Sequence, residues 1–253
     1  MIPKVIHYCW FGRNPLPPLA IKCIDSWKKY LPDYEIKEWN EDNFDVNIIP
    51  YTAQAYQAKK YAFVSDYARF WILYKYGGIY FDTDVEVIKP IDDIVCNGAF
   101  MGIEKDYKYG ITVNPGLGLG IEAYHSLFKE FLDTYSTKSF TDESGNMNMQ
   151  TIVVYTTEIL FKHGLSNVPD IQTIKGIKIY PSEYFCPRNI VTKRFHITEN
   201  TRTIHHYAAS WCDKNWKKRI IRRIRFFIPE HILLFYNKTK KAFVATRNNS
   251  NKN

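Results

Sequence analysis

Two short apolar runs, residues 4–10 (KVIHYCW) and 34–39 (YEIKEW), flank a single helical stretch. Neighbouring parallel strands need a crossover of a dozen or more residues, and a helix supplies it. Pro17-Pro18 opens that helix, which runs to about Tyr30 with Leu19, Cys23, Ile24 and Trp27 on one face. Gly12-Arg13-Asn14-Pro15 and Pro32-Asp33 break the chain on either side. A strand–helix–strand opening of this kind predicts an α/β fold, with a mostly parallel central sheet and helices on both faces.

Further along, residues 65–76 read as a helix, with Ser65 as N-cap and Asp66 complementing the N-terminal dipole. Gly77-Gly78 ends it, because glycine accepts the left-handed conformation at a helix C-terminus. Residues 79–81 (IYF) form a short apolar strand, Asp82-Thr83-Asp84 stands at its C-terminal end, and residues 85–88 continue as another strand. Strands are also expected at 99–104, 177–180 and 203–207, and helices at 122–135 and 150–163, with a flexible Gly-rich turn at 116–120.

The 253 residues, 45 % hydrophobic, suit one α/β domain with an appendage. Of 34 basic and 26 acidic residues, 12 and 2 lie in 213–253, so the tail carries +10 and the body −2. The division predicted is a domain at 1–212, a basic helical tail at 213–247 and a disordered terminus at 248–253. Five cysteines with no CxxC pair argue against a disulfide framework and a cysteine zinc site, and fit a reducing cytosol. The first residues lack the apolar run of a secretory signal, and no stretch reaches 18 apolar residues.

Asp82 and Asp84 are the residues whose pattern points to chemistry. Two carboxylates one residue apart, just past a strand end, can converge on one hard cation such as Mg²⁺ or Mn²⁺. The C-terminal ends of strands are also where open α/β sheets bind ligands. Ser65, Asp66 and Arg69 form a second polar set on the preceding helix, and Asp66 and Arg69 share a face. They are either an ion pair of the helix or a hydroxyl acceptor and a phosphate clamp.

Four segments in order, IPKVIHYCWFG, SWKKYLPDYEIKEWN, SDYARFWILYKYGGIYFDTDVEVIKP and IHHYAASW, resemble a DXD glycosyltransferase family. That family includes fungal initiating α-1,6-mannosyltransferases, animal α-1,4-galactosyltransferases and bacterial capsular polysaccharide enzymes, with the glycosylating domains of large clostridial toxins as distant relatives. The resemblance covers most of residues 1–212. It implies a GT-A fold, a nucleoside-diphosphate sugar donor (often UDP-linked), Mn²⁺ or Mg²⁺, and retention of anomeric configuration. The sugar would be galactose, glucose, an N-acetylhexosamine or mannose. The acceptor would be a glycan of a capsular polysaccharide, O-antigen or lipooligosaccharide.

The resemblance also assigns residues. Trp10 stacks on the donor base while the backbone at Cys9 reads its edge, although Trp10 equally reads as a core residue at a strand end. Asp66, with Ser65 beside it, accepts donor hydroxyls, and Arg69 is its basic partner. Tyr80 puts a ring near the donor. Asp82 faces ribose and the metal, Asp84 is the direct ligand, and His205 stands at the metal or diphosphate. Ser210 and Trp211 close over the phosphates. Neighbours on a strand face opposite sides, so only one of His205 and His206 is a ligand. Asn114 and Glu122 flank the Gly-rich turn and are candidates for the sugar or acceptor side, Glu122 reading equally as a first-turn helix acid.

The tail segment WKKRIIRRIRFFI (216–228) places Ile220, Ile221, Ile224, Phe227 and Ile228 on one arc of a helix, with most of its charge outside that arc. A basic amphipathic helix suits an anionic membrane surface, and packing on the domain with a solvated basic face is the alternative. With a glycan acceptor that is lipid-linked, this reading places the chain peripherally on the cytoplasmic face of a membrane. Two other readings compete. A phosphohydrolase of the haloacid dehalogenase type also has DxD after an apolar strand, but Glu86 stands where that motif has Thr or Val. Nucleic-acid binding through the tail is disfavoured by the near-neutral body.

Overall fold

The computed structural model describes residues 1–105, 110–189, 192 and 194–208. Among these, residues 1–187 and 197–208 belong to one compact unit and the described residues of 188–196 to a second. In the second, an isolated antiparallel bridge joins Arg188 to Phe195. The expected tail and terminus lie outside the described residues.

The opening is the predicted one. β1 (Val5–Cys9) pairs in parallel with β2 (Glu35–Trp39), and α1 (Pro18–Tyr30) crosses between them. α1 starts on Pro18 and carries Lys28 and Lys29 in its last turn, placing proline where its missing N–H costs nothing and cations at the negative end of the dipole. Next come α2 (Pro50–Gln57), α3 (Tyr61–Tyr76), β3 (Gly78–Tyr80), β4 (Val85–Val87) and the short α4 (Asp92–Val95). β5 (Phe100–Lys105), β6 (Thr112–Val113) and β7 (Leu119–Ile121) lead to helices α5 (Ser126–Ser136) and α6 (Ile152–Lys162). β8 (Gln172–Ile174), β9 (Ile177–Tyr180), α7 (Ser182–Phe185) and β10 (Thr203–His205) complete the described elements.

The main sheet has the order β2-β1-β3-β7-β5-β9-β8, with β6 beside β5. Five of these eight strands, β1, β2, β3, β5 and β9, point the same way, and β6, β7 and β8 run against them. It is thus a mixed, mostly parallel sheet with helices on both faces, as expected. Strand alternation separates two cores. Tyr80, Met101, Ile103 and Leu119 join the side covered by α2, α3, α5 and α6. Ile6, Tyr8, Ile79, Phe81 and Phe100 join the side covered by α1, α4 and α7. On that second side β4 and β10 form a two-stranded antiparallel ribbon, and Trp27 of α1 donates its indole N–H to the Val85 carbonyl at 2.7 Å.

Two expectations change. α3 begins at Tyr61, four residues before Ser65, so Ser65 is no N-cap: its hydroxyl donates to the Tyr61 carbonyl one turn back at 3.2 Å. The apolar run YAFV extends the helix backwards and is buried at Phe63 and Val64. The Gly-rich stretch is not a flexible turn. Residues 116–120 are buried throughout, and Leu119–Ile121 is the strand β7 in the middle of the sheet. Gly120 fits there because the Phe100 ring fills the space that a Cβ would take.

Candidate active site

The C-terminal ends of β1, β3 and β5 and the N-terminal end of β7 meet at one edge of the sheet, and Asp82 leaves β3 there. Its N–H donates to the Gly116 carbonyl at 3.0 Å, and its own carbonyl accepts the Val85 N–H at 3.0 Å. This tight turn carries the chain from the main sheet into the ribbon. Because β4 pairs with β10 in the register Val85↔His205, the ribbon brings His205 back beside Asp84.

One ligand atom from each of Asp82, Asp84 and His205 lies within 4.8 Å of the others. His205 Nε2 is 3.0 Å from Asp84 Oδ1, and the Ala208 N–H donates to Asp84 Oδ2 at 2.7 Å. His206 N–H donates to the Asp84 carbonyl at 3.0 Å, so residues 205–208 wrap around Asp84. The wrap needs Tyr207 in the left-handed region, at φ +53°. Burial alone raises the Asp84 pKa, but the bonds from His205 and Ala208 outweigh it and hold the carboxyl below its usual range. Burial favours neutral His205, yet Asp84 outweighs that too and raises the imidazole, with Asp82 and Glu104 adding to the effect.

The cluster suits a metal. Two carboxylates and an imidazole make a mixed oxygen and nitrogen set that Mn²⁺ accepts more readily than Mg²⁺. His205 Nδ1 is buried without a hydrogen-bond partner among the described residues, which is a cost unless something satisfies it. The alternation of the ribbon decides between the two histidines. His205 faces the acids, whereas His206 bonds Glu86 at 2.7 Å, which also takes Lys22 at 2.8 Å.

Beneath Asp82 lies a buried charge group. Arg69 Nη2 is 2.9 Å from Asp66 Oδ1 and 3.2 Å from Asp82 Oδ1, Nε–H donates to the Ser65 carbonyl at 3.2 Å, and the guanidinium lies over the Tyr80 ring at 4.7 Å. Burial alone disfavours the cation, but the neighbouring carboxylates outweigh it and keep Arg69 charged. Burial raises the Asp66 pKa, and Arg69 opposes that rise. Arg69 and Asp66 thus serve first to fix Asp82. Tyr80 is fully buried under Arg69 and offers no open ring face. Cys9 is buried against the same group, its thiol pushed up to about 12 by burial. Trp10, half-buried at the same sheet edge, donates its indole N–H to the Asn14 carbonyl at 2.6 Å.

Asn114 joins this site. Its Oδ1 accepts the Gly116 N–H at 2.8 Å and its Nδ2 donates to Glu104 Oε1 at 3.1 Å. Glu122 does not join it. β7 runs antiparallel to β3, so Glu122 follows the far end of the strand and pairs with the N-terminus of Met1. Ser210 and Trp211 lie outside the described residues. Two functional positions escaped the sequence. A Cβ on Gly116 would collide with Asp82 Oδ2 and come within 3.0 Å of Arg69 Nη1, a reason for glycine visible only once β3 and β7 are paired. Glu104 carries no motif, and only the topology brings it to this edge.

Comparison with known proteins fits this geometry. Residues 17–101 match the glycosyltransferase sugar-binding region containing a DXD motif. Inositol phosphoceramide mannosyltransferase 1 of Schizosaccharomyces pombe is 28 % identical over 155 residues, 54 % of this chain and 46 % of that one. The initiation-specific alpha-1,6-mannosyltransferase of Candida albicans is 29 % identical over 131 residues, 48 % of this chain and 32 % of that one. The chain therefore spans less than half the length of either fungal enzyme. An uncharacterized glycosyltransferase of Acanthamoeba polyphaga mimivirus is 26 % identical over 201 residues, 75 % of each chain. Among solved structures, the PaToxG glycosyltransferase superposes with a TM-score of 0.49 at 21 % identity, over 64 % of this chain and 69 % of that one, too loosely to bear on function. Residues 17–101, with the two aspartates within them, are thus similar to the sugar-binding region of DXD-motif glycosyltransferases.

Proposed function

We propose that the chain transfers a hexose, with retention, from a nucleoside-diphosphate sugar to a glycan acceptor. The observation that carries this reading is the convergence of Asp82, Asp84 and His205 at the ligand-binding edge of the sheet. The donor is UDP-linked in the family resemblance, and the fungal relatives' names keep mannose among the candidate sugars. The acceptor class proposed is a capsular polysaccharide, O-antigen or lipooligosaccharide glycan, lipid-linked or free.

In the transfer, the bond between sugar C1 and the diphosphate oxygen breaks and its electron pair stays on the diphosphate. The acceptor oxygen bonds C1, and its proton passes to the diphosphate. Asp82, Asp84 and His205 would hold a divalent cation, which would supply electrostatic stabilisation of the departing diphosphate. Arg69 fixes Asp82, and the 205–208 wrap fixes Asp84, so both carboxylates are oriented before substrate arrives. Trp10 supplies a surface for the base, and Ser210 and Trp211 close over the phosphates.

The basic tail is proposed to hold the enzyme on an anionic membrane surface at the cytoplasmic face. No helix among the described residues is long and apolar enough to cross a membrane. The family match gives no support to the phosphohydrolase or nucleic-acid readings.

A thermal-shift panel tests the assignment, using UDP-glucose, UDP-galactose, UDP-N-acetylglucosamine and GDP-mannose with and without Mn²⁺. A ligand that binds only the native state stabilises it by about 2.7 kcal/mol at a hundred times its Kd. At least one nucleotide sugar is expected to raise the melting temperature only when Mn²⁺ is present. No shift with any donor overturns the reading.

A further inference from the structure

Sugar transfer builds two opposite charges, and the groups described so far serve only one of them. As the C1–oxygen bond breaks, negative charge collects on the diphosphate and positive charge on C1 and the ring oxygen. Asp82, Asp84 and His205 would hold the cation that meets the first. Asp66 and Asp82 share Arg69, and Asp84 is held by His205 and Ala208, so each of these carboxylates already faces a donor or a cation.

Glu104 differs. It lies near the C-terminal end of β5, the same edge of the sheet as Asp82. Met101 and Ile103 turn into the core that contains Tyr80, so Gly102 faces the other side; the β5–β6 register shifts between Ile103 and Lys105, and Glu104 at that irregularity is placed by its bond to Asn114. On that side Phe185 presses on Gly102, and the Phe185 carbonyl accepts the Thr203 hydroxyl of β10 at 3.0 Å. The bond from Asn114 holds Glu104 at the edge where Asp82 leaves β3, and its charge acts on His205. A continuous set of bonds also links it to Asp82. Glu104 Oε1 accepts from Asn114 at 3.1 Å, Asn114 accepts the Gly116 N–H at 2.8 Å, and the Gly116 carbonyl accepts the Asp82 N–H at 3.0 Å. Glu104 is half-buried, and among the described residues no lysine, arginine or histidine forms an ion pair with it.

We propose that Glu104 is a further catalytic residue, the carboxylate that stabilises the positive charge developing on the transferred sugar, with Asn114 as the residue that positions it. A half-buried carboxylate whose one described partner is a neutral amide keeps its charge available for a cation that exists only in the transition state, where stabilisation raises kcat. This inference rests on the site being one of sugar transfer.

The test uses Glu104→Gln in the full chain, because glutamine still accepts the Asn114 bond but carries no charge. Turnover of UDP-glucose, UDP-galactose, UDP-N-acetylglucosamine and GDP-mannose is measured with saturating Mn²⁺, alongside Mn²⁺-dependent binding of UDP and GDP, which carry no sugar. On the donor that the wild type uses, kcat is expected to fall roughly a hundredfold while KM changes less than about threefold. Binding of the nucleoside diphosphate and the melting temperature are expected to stay at wild-type values. Glu104→Asp, which keeps the charge, is expected to recover part of the lost kcat. Wild-type kcat in Glu104→Gln overturns the role of Glu104 alone. Loss of diphosphate binding together with turnover shows a structural role through Asn114 and likewise overturns it. A wild type that turns over none of the four donors overturns the transfer reading and this inference with it.

Discussion

Gly116 shows how narrow the tolerances are around a single carboxylate. Its missing side chain leaves the room in which Asp82 Oδ2 and Arg69 sit, and its carbonyl anchors the Asp82 backbone. Gly116→Ala is expected to displace Asp82, costing about 1–3 kcal/mol of stability and at least about tenfold in Mn²⁺ affinity, read by denaturant unfolding and metal titration. Wild-type Mn²⁺ affinity in that variant would show that Asp82 needs no such clearance. The two adjacent histidines give a paired test. His205→Ala is expected to weaken Mn²⁺ binding about 10–100-fold, whereas His206→Ala, which breaks a bond to Glu86 instead, should change it less than about threefold. Equal effects would contradict the orientation of the ribbon. At Arg69, substitution by Met leaves Asp66 and Asp82 without their shared cation, an expected loss of about 3–5 kcal/mol.

Among the elements, β1 carries a buried histidine that makes its stability depend on pH. His7 accepts the Trp39 indole N–H at Nδ1 (3.0 Å) and meets the Gly77 carbonyl at Nε2 (3.1 Å), which suits a neutral ring protonated at Nε2. Burial lowers its pKa from 6.5 to about 4. The unfolded chain therefore takes up the proton first, so the stability from neutral His7 is complete above pH 6.5 and is lost as pH falls toward 4. Unfolding in urea at pH 7 and pH 5 should differ by about 2 kcal/mol from this residue, and His7→Gln should remove most of that difference. An unchanged pH dependence in His7→Gln would contradict a neutral His7. The elements around it differ in how far the sequence revealed them. β1, α1, β2 and β9 were legible because their apolar periods are clean and bounded by proline, glycine or Asp turns. α2 was missed because PYTAQAYQ shows no apolar stripe, although Pro50 stands at its first turn. β7 was hidden by its glycines, which mark close packing against Phe100 and Phe185 and not a turn. The pair Asp82 and Asp84 was legible as a local motif. Its links to Gly116 and Glu104 were not, because they depend on strand order, which a single sequence does not encode locally.

For the molecule as a whole, the charge split is the feature with the widest consequence. A body of net −2 followed by a tail of +10 predicts that residues 213–253 are the membrane-binding part, each basic residue near an anionic surface contributing about 1 kcal/mol. The full chain is expected to sediment with phosphatidylserine vesicles and to be released by moderate salt, whereas a chain ending at 212 should stay in the supernatant. Sedimentation of the shortened chain would show that the tail is not the anchor. Calorimetric titration of Mn²⁺ into the full chain with saturating UDP addresses the metal most directly, comparing the wild type with Asp84→Asn, a substitution close to isosteric. One Mn²⁺ bound per wild-type chain, with loss of that binding in Asp84→Asn at a nearly unchanged melting temperature, is the predicted result. Equal Mn²⁺ binding by the two proteins would contradict a metal held by Asp82, Asp84 and His205.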